Sequence, residues 1–363
     1  MTRFIGNISS IIFMKKLFVL FLIFFFIYPS EQWLSIIQVS NRSLSTEDLC
    51  QTKYGLNHRQ IQFCQRNVHL MPYIYLGANL AIEECQVQFK NRHWNCKLFE
   101  NNQLIGKILD SETKESAYIH ALTSAGIAYT ITKACSSGQL RSCGCDMTMI
   151  DKNQNNSMRW MGCSDNTFYG TEIARKFVNL RETRKKTQTS LLNRYNNQIG
   201  IRMILSSNER RCKCHGISGS CELKSCWHSL HSFTRIANQL KEFYDNSIEV
   251  HLQRSTIDSK VRFLPKNIPL HQEQNMIYEN KLIFIISSPN YCEFNLSLGS
   301  FGTKGRICNR NSRAIDGCDL LCCNRGYQSK ITTIQNQCNC RFQWCCHVQC
   351  QNCMTTQEIS YCL

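Results

Sequence analysis

Long apolar runs are scarce in this chain of 363 residues. The longest, LFVLFLIFFFI at Leu17 to Ile27, holds 11 residues, short of the about 18 that a bilayer-crossing helix needs. It follows MTRFIGNISSIIFMKK, which is basic and without acid, and it ends at the turn-like YPS of Tyr28 to Ser30. That is the order of a secretory signal peptide, and an uncleaved membrane anchor is disfavoured by the length. Tyr28 and Trp33 spoil the small-x-small pattern near the obvious cleavage points. Residues 1–30 are therefore read as a signal peptide and 31–49 as the start of a mature chain that is secreted and soluble.

Acid is also in short supply. There are 26 Asp and Glu against 42 Lys and Arg, a formal charge of +16. Removing Arg3, Lys15 and Lys16 with the signal peptide leaves +13. In a secreted protein such an excess points to sulfated polysaccharide such as heparan sulfate, or to an anionic cell surface, and not to nucleic acid. RETRKK (Arg181 to Lys186) and RRCK (Arg210 to Lys213) are the local candidates, each equally readable as a solvated face.

Cysteine is missing only from the middle. Of the 24 cysteines, twelve lie between Cys50 and Cys226 and twelve between Cys292 and Cys362, separated by 65 residues with none. So many thiols in a secreted chain read as a disulfide framework. The gap marks a domain boundary, giving a first domain over 50–260, a polar linker over 261–288 ending in the strand-like LIFII, and a second domain over 289–363. Helical periodicity runs through Arg59 to Lys90, through Thr113 to Cys135 with a small-residue face of Ala117, Ala121, Ala125 and Ala128, and through about Tyr169 to Arg184. The last 71 residues show short strand-like pieces among Gly, Asn and paired cysteines, too little apolar surface to fold without bridges. The fold class is α+β and disulfide-rich.

RCKCHGISGSCELKSCW, Arg211 to Trp227, concentrates the chemistry. Cys212, Cys214, Cys221 and Cys226 offer four sulfurs, but zinc spacing is usually Cys-x2-Cys and an oxidising compartment favours pairing. A redox pair would want Cys-x-x-Cys, absent from this stretch. A serine nucleophile elbow needs Gly-x-Ser-x-Gly, and Ser220 stands where its last glycine belongs. His215 beside Ser218 and Ser220 is weak evidence for a hydrolase. If Cys214 pairs with Cys221 and Cys212 with Cys226, the segment becomes a stapled hairpin with HGISGS at its tip, where Gly216 and Gly219 permit positive φ. Such a hairpin holds a serine hydroxyl out for a modifying enzyme.

KCHGISGSCELKSCW closely resembles the signature of the Wnt family of secreted signalling proteins. AIEECQVQFKNRHWNC (Ala81 to Cys96), SAGIAYTITKACSSGQLRSCGCD (Ser124 to Asp146), GCSDN (Gly162 to Asn166), ARKFVNLRE (Ala174 to Glu182), GTKGRICNRNSRAIDGCDLLCC (Gly302 to Cys323) and CNCRFQWCCHVQC (Cys338 to Cys350) are similar to it in the same order. The resemblance covers about Cys50 to Cys362.

It implies a ligand, not an enzyme, with no cofactor or metal. Ser218 would be esterified with a monounsaturated C16 acyl chain by the acyltransferase Porcupine. The secreted protein would stay membrane-associated through that lipid and travel with a dedicated membrane carrier. It would bind the cysteine-rich domain of a Frizzled receptor through the acyl chain and through a finger tipped by Phe342, Trp344, Cys345, Cys346 and Val348. A lipoprotein-receptor-related co-receptor would engage the linker region, which departs most from the family.

The resemblance also implies bridges Cys85–Cys96, Cys135–Cys143, Cys145–Cys163, Cys292–Cys323, Cys308–Cys318, Cys322–Cys362, Cys338–Cys353 and Cys340–Cys350, with the two nested hairpin bridges. Cys50 and Cys64 remain to join each other. Cys345 and Cys346 would bond as neighbours across a strained ring, unless each pairs elsewhere. Asn295, Asn155 and Asn41 begin glycosylation sequons, Asn295 ranking first.

Overall fold

The computed structural model describes Cys50 and residues 56–97, 108–109, 111–148, 158–182, 187–254, 261–266, 281–295 and 298–363. The expected signal peptide, the segment 31–49, Asn41, Asn155 and most of the expected linker lie outside the described residues.

The first helical period breaks in two. Helix α1 (His58–Arg66) starts from an Asn57 capping box with Gln60. Asn67 then leaves helical geometry at φ −134°, and a 3-10 turn at Val68–Leu70 leads into α2 (Met71–Phe89). Pro72 sits in the first turn of α2, where a missing N–H costs nothing, whereas mid-helix it would block the bond to the preceding turn.

Helix α3 (Lys114–Ser136), capped by Thr113, is the spindle of the domain and is buried on nearly every side. Its small residues let neighbours approach to backbone contact. A Cβ added to Gly77 of α2 would lie 2.6 Å from the Gly126 carbonyl oxygen of α3. Gly170 in α4 (Thr167–Asn179) and Gly200 in α5 (Gln188–Ser206) meet α3 as closely, at Ala128 and Ala121. Helix α4 begins at its Asn166 cap and stops at Leu180, short of the Arg184 expected. Helix α5 and helix α6 (Phe233–Asp245) complete the bundle. Both escaped the sequence reading, and α6 lies inside the cysteine-free gap. Phe89, Tyr118 and Tyr244 stack edge to face in the core, with ring centroids 4.9–5.7 Å apart.

Two small sheets flank this bundle. In the first, β1 (Met158–Trp160) pairs parallel with β3 (Lys224–Leu230), which pairs antiparallel with β2 (Asn208–Cys214). In the second, β4 (Ile248–Arg254) is flanked by β5 (Val261–Pro265) and β6 (Ile283–Phe284). The expected linker over 261–288 is thus structured at both described ends. Buried Asn196 of α5 donates to the Ile283 carbonyl at 3.0 Å and accepts from its N–H at 3.1 Å, like an extra strand. Leu282 enters the main core beside it.

The second domain holds β7 (Phe294–Asn295), β8 (Ser300–Phe301), β9 (Ile307–Cys308), the short α7 (Cys318–Leu321), and the long ribbon β10 (Tyr327–Gln343) and β11 (His347–Cys362). Its buried cluster is Cys308, Cys318, Leu321, Cys322 and Cys362, so cystine sulfur supplies most of what apolar side chains supply elsewhere. Eleven bridges are present: the nested pair Cys212–Cys226 and Cys214–Cys221, Cys50–Cys64, and the eight others implied in both domains. The Cys345–Cys346 bond is not formed. Both are exposed thiols with sulfurs 4.0 Å apart. Adjacent Cα atoms stand about 3.8 Å apart, below the usual disulfide range of about 4.4–6.8 Å, and here the turn keeps the sulfurs separate.

Candidate functional site

The β2–β3 hairpin runs in register from Asn208↔Leu230 to Cys214↔Lys224, and Cys212 faces Cys226 across it with Cα atoms 4.1 Å apart. Cys214–Cys221 closes the tip, with Cα atoms 4.6 Å apart. The tip is a single 3-10 turn, Ile217–Gly219, held by Gly216 N–H to Ser220 O at 2.8 Å and Ser220 N–H to Ile217 O at 3.1 Å.

The tip glycines work differently from the sequence expectation. Gly219 has φ +77°, but Gly216 has φ −67°; it must be glycine because a Cβ there would come within 2.6 Å of the Ser220 carbonyl oxygen. The second positive φ belongs to Ser218 itself, at 56°, a conformation costing an L-residue about 1 kcal/mol or more. Ser218 is exposed, and among the described residues its hydroxyl has no hydrogen-bond partner. Ile217 beside it is 90% exposed. Among the described residues no side chain bonds the exposed His215 ring, and the four cysteines are bridged and so offer no thiolate.

The root of the hairpin is as firm as its tip is bare. GCSDN supplies the anchor. Gly162, at φ 104°, lies against the Trp227 ring. Ser164 Oγ accepts from His228 N–H at 3.1 Å, and buried Asp165 accepts from Leu230 N–H at 2.7 Å and Lys133 Nζ at 2.6 Å. Asp165 N–H in turn donates to the His228 carbonyl at 2.9 Å. Lys133 belongs to α3, so a charge-assisted pair ties the hairpin to the spindle. Sequence reasoning quoted both motifs without seeing this role. A lone acid followed by a helix-capping asparagine was the available signal.

The second candidate contact is the ribbon. Phe342 faces Val348 across it, the chain turns through Trp344–Cys346, and Cys338–Cys353 and Cys340–Cys350 staple the two strands behind the tip. Phe342, Trp344 and Val348 are 69%, 92% and 56% exposed, an apolar tip on a ribbon that also exposes Ile331 and Met354. Cys345 and Cys346 close the turn at φ 78° and 81°. The structure thus brings all five finger residues to one tip.

Of the remaining candidates, Asn295 lies exposed on β7, and its side-chain oxygen accepts from Leu298 N–H at 3.4 Å. Arg210, Arg211 and Lys213 are exposed along β2, whereas residues 183–186 of RETRKK lie outside the described residues. Among the described residues no helix is long and apolar enough to cross a membrane.

Comparison with known proteins places this geometry in context. The wnt family model matches residues 52–363. Protein Wnt-3a of Xenopus laevis is 39% identical over 340 residues, covering 91% of this chain and 93% of the relative. Protein Wnt-5a of Ambystoma mexicanum is 36% identical over 317 residues, covering 85% and 86%. Among solved structures, human WLS in complex with WNT8A matches with a TM-score of 0.59 and 36% identity, over 81% of this chain and 94% of that one.

Proposed function

The chain belongs to the Wnt family of signalling ligands, and from that premise we propose that it is lipidated on Ser218 and binds the cysteine-rich domain of a Frizzled receptor by two contacts. One is the acyl chain on the hairpin, the other the finger around Trp344. The observation that carries the reading is the state of Ser218: an exposed, unpartnered hydroxyl on a doubly stapled hairpin, with backbone φ of 56°. Such a hydroxyl is reachable by an acyltransferase of the Porcupine type. The bridges keep the product clear of the body.

A C16 chain is worth on the order of 10 kcal/mol at ~0.8 kcal/mol per buried methylene, enough to dominate receptor binding and to associate the protein reversibly with membranes. The same lipid makes a dedicated membrane carrier necessary during secretion, and the likeness to WNT8A in its complex with WLS supports that role. The finger supplies an aromatic anchor of the kind that dominates interfaces. A lipoprotein-receptor-related co-receptor completes the receptor set, and the exposed Arg210, Arg211 and Lys213 suit heparan sulfate.

Ser218→Ala tests the reading. The variant is expected to fold with the same bridges, to lose the acyl group and to lose binding to the isolated receptor domain. Undiminished binding by the variant would refute it.

A further inference from the structure

Two motifs take no part in either contact, NRHWNC (Asn91 to Cys96) and GTKGRIC (Gly302 to Cys308), yet the fold brings them together. Helix α2 ends at Phe89, leaving the carbonyls of its cap and of the loop beyond without helical partners. The Arg306 guanidinium donates to three of them, Lys90 O at 2.7 Å, Arg92 O at 2.7 Å and His93 O at 2.8 Å. A planar cation with several N–H donors suits this negative helix end better than an ammonium does. The backbone of the same residue faces the finger. Its carbonyl accepts from Cys362 N–H at 2.9 Å, and Ile307 and Cys308 pair with Tyr361 and Ser360 of β11.

One residue therefore joins the end of α2 to the root of the ribbon. Cys85–Cys96 closes the loop on one side, and Cys308–Cys318 and Cys322–Cys362 brace the other. From α2 the path continues through the Gly77–Gly126 contact to α3, and from Lys133 to Asp165 and the Ser218 hairpin. His93 to Leu320 O at 2.8 Å and Trp94 against Tyr291 add to the seam.

We propose that Arg306 is a positioning residue that fixes the direction of the finger relative to the Ser218 hairpin, so that both contacts engage one receptor domain together. The proposal rests on the two-contact reading above. Strand β10 has 17 residues and is about 55 Å long at ~3.3 Å per residue, so a tilt of about 5° at its root displaces the tip by about 5 Å. That is enough to take Trp344 out of any pocket it fills.

The test measures binding of the full-length acylated protein to the immobilised receptor cysteine-rich domain, for Arg306→Ala and Arg306→Lys, each with and without Trp344→Ala. Arg306→Ala is expected to weaken binding about tenfold alone but less than about twofold on the Trp344→Ala background, because a lost pairing of contacts costs nothing once one contact is gone. Arg306→Lys falls between, and it carries the test if the alanine variant is not secreted. Hydrogen exchange should rise at residues 90–93 and 306–307 while the Cys322–Cys362 cluster stays protected. Unchanged binding, or equal weakening on both backgrounds, overturns the proposal. A Trp344→Ala protein that binds like its parent overturns instead the two-contact reading beneath it.

Discussion

Asp165→Ala should loosen the β2–β3 hairpin without touching its tip. The carboxylate is 4% exposed and accepts from the buried Leu230 N–H and from Lys133. Its removal leaves that N–H without an acceptor in a site water does not reach, a cost of about 1–3 kcal/mol. Lys133 keeps a third of its side chain in solvent, so losing the ion pair adds only up to about 1 kcal/mol. The expected total is about 3 kcal/mol. Asp165→Asn keeps the acceptor and loses only the charge, so about 1 kcal/mol is expected there. Urea unfolding of the secreted variants with bridges intact measures both values, and hydrogen exchange at Leu230 localises the effect. Equal losses for the two variants, or an alanine variant as stable as the parent, would refute the assignment of Asp165 as the anchor.

Other consequences are equally specific. His120 is buried with its pKa pushed down from 6.5 to about 4, first by burial and then by Arg181. The unfolded chain therefore takes up a proton as pH falls below 6.5 while the folded chain does not, and stability drops by about 3 kcal/mol between pH 6.5 and 4. His120→Gln should flatten that slope in pH-dependent denaturation, and an unchanged slope would assign it to other groups. Gly77→Val should cost about 1–3 kcal/mol in the same assay by forcing α2 off α3, since no side chain fits against the Gly126 carbonyl. Trp344→Ala should leave stability unchanged, the ring being 92% exposed, while weakening receptor binding by about 2 kcal/mol, roughly thirtyfold.

The sequence displayed its cysteine-dense stretches more openly than its buried polar joints. The stapled hairpin, the helix from Thr113 and the cystine-built second domain follow from spacing, period and composition. Helix α5 has a weak apolar period because Asn193, Asn196 and Asn197 are polar, yet all three are buried. Asn196 is what turns the expected linker into a docked strand. Helix α6 falls inside the expected first domain, where Ile236, Ala237, Leu240 and Tyr244 recur at helical spacing and are buried, but no cysteine marks it. At the tip, the pattern HGISGS suggested that both glycines bend the chain. In the folded tip Ser218 itself takes the left-handed turn. Lys133 and Asp165 meet across 32 residues, a distance in sequence that no local period reports.

The central claim is that Ser218 carries the lipid through which the protein meets its receptor. Mass spectrometry of the disulfide-linked tip peptide from the secreted protein tests it most directly. The account predicts a monounsaturated C16 ester on Ser218 and none on Ser220. A receptor-active protein whose Ser218 hydroxyl is unmodified would contradict it.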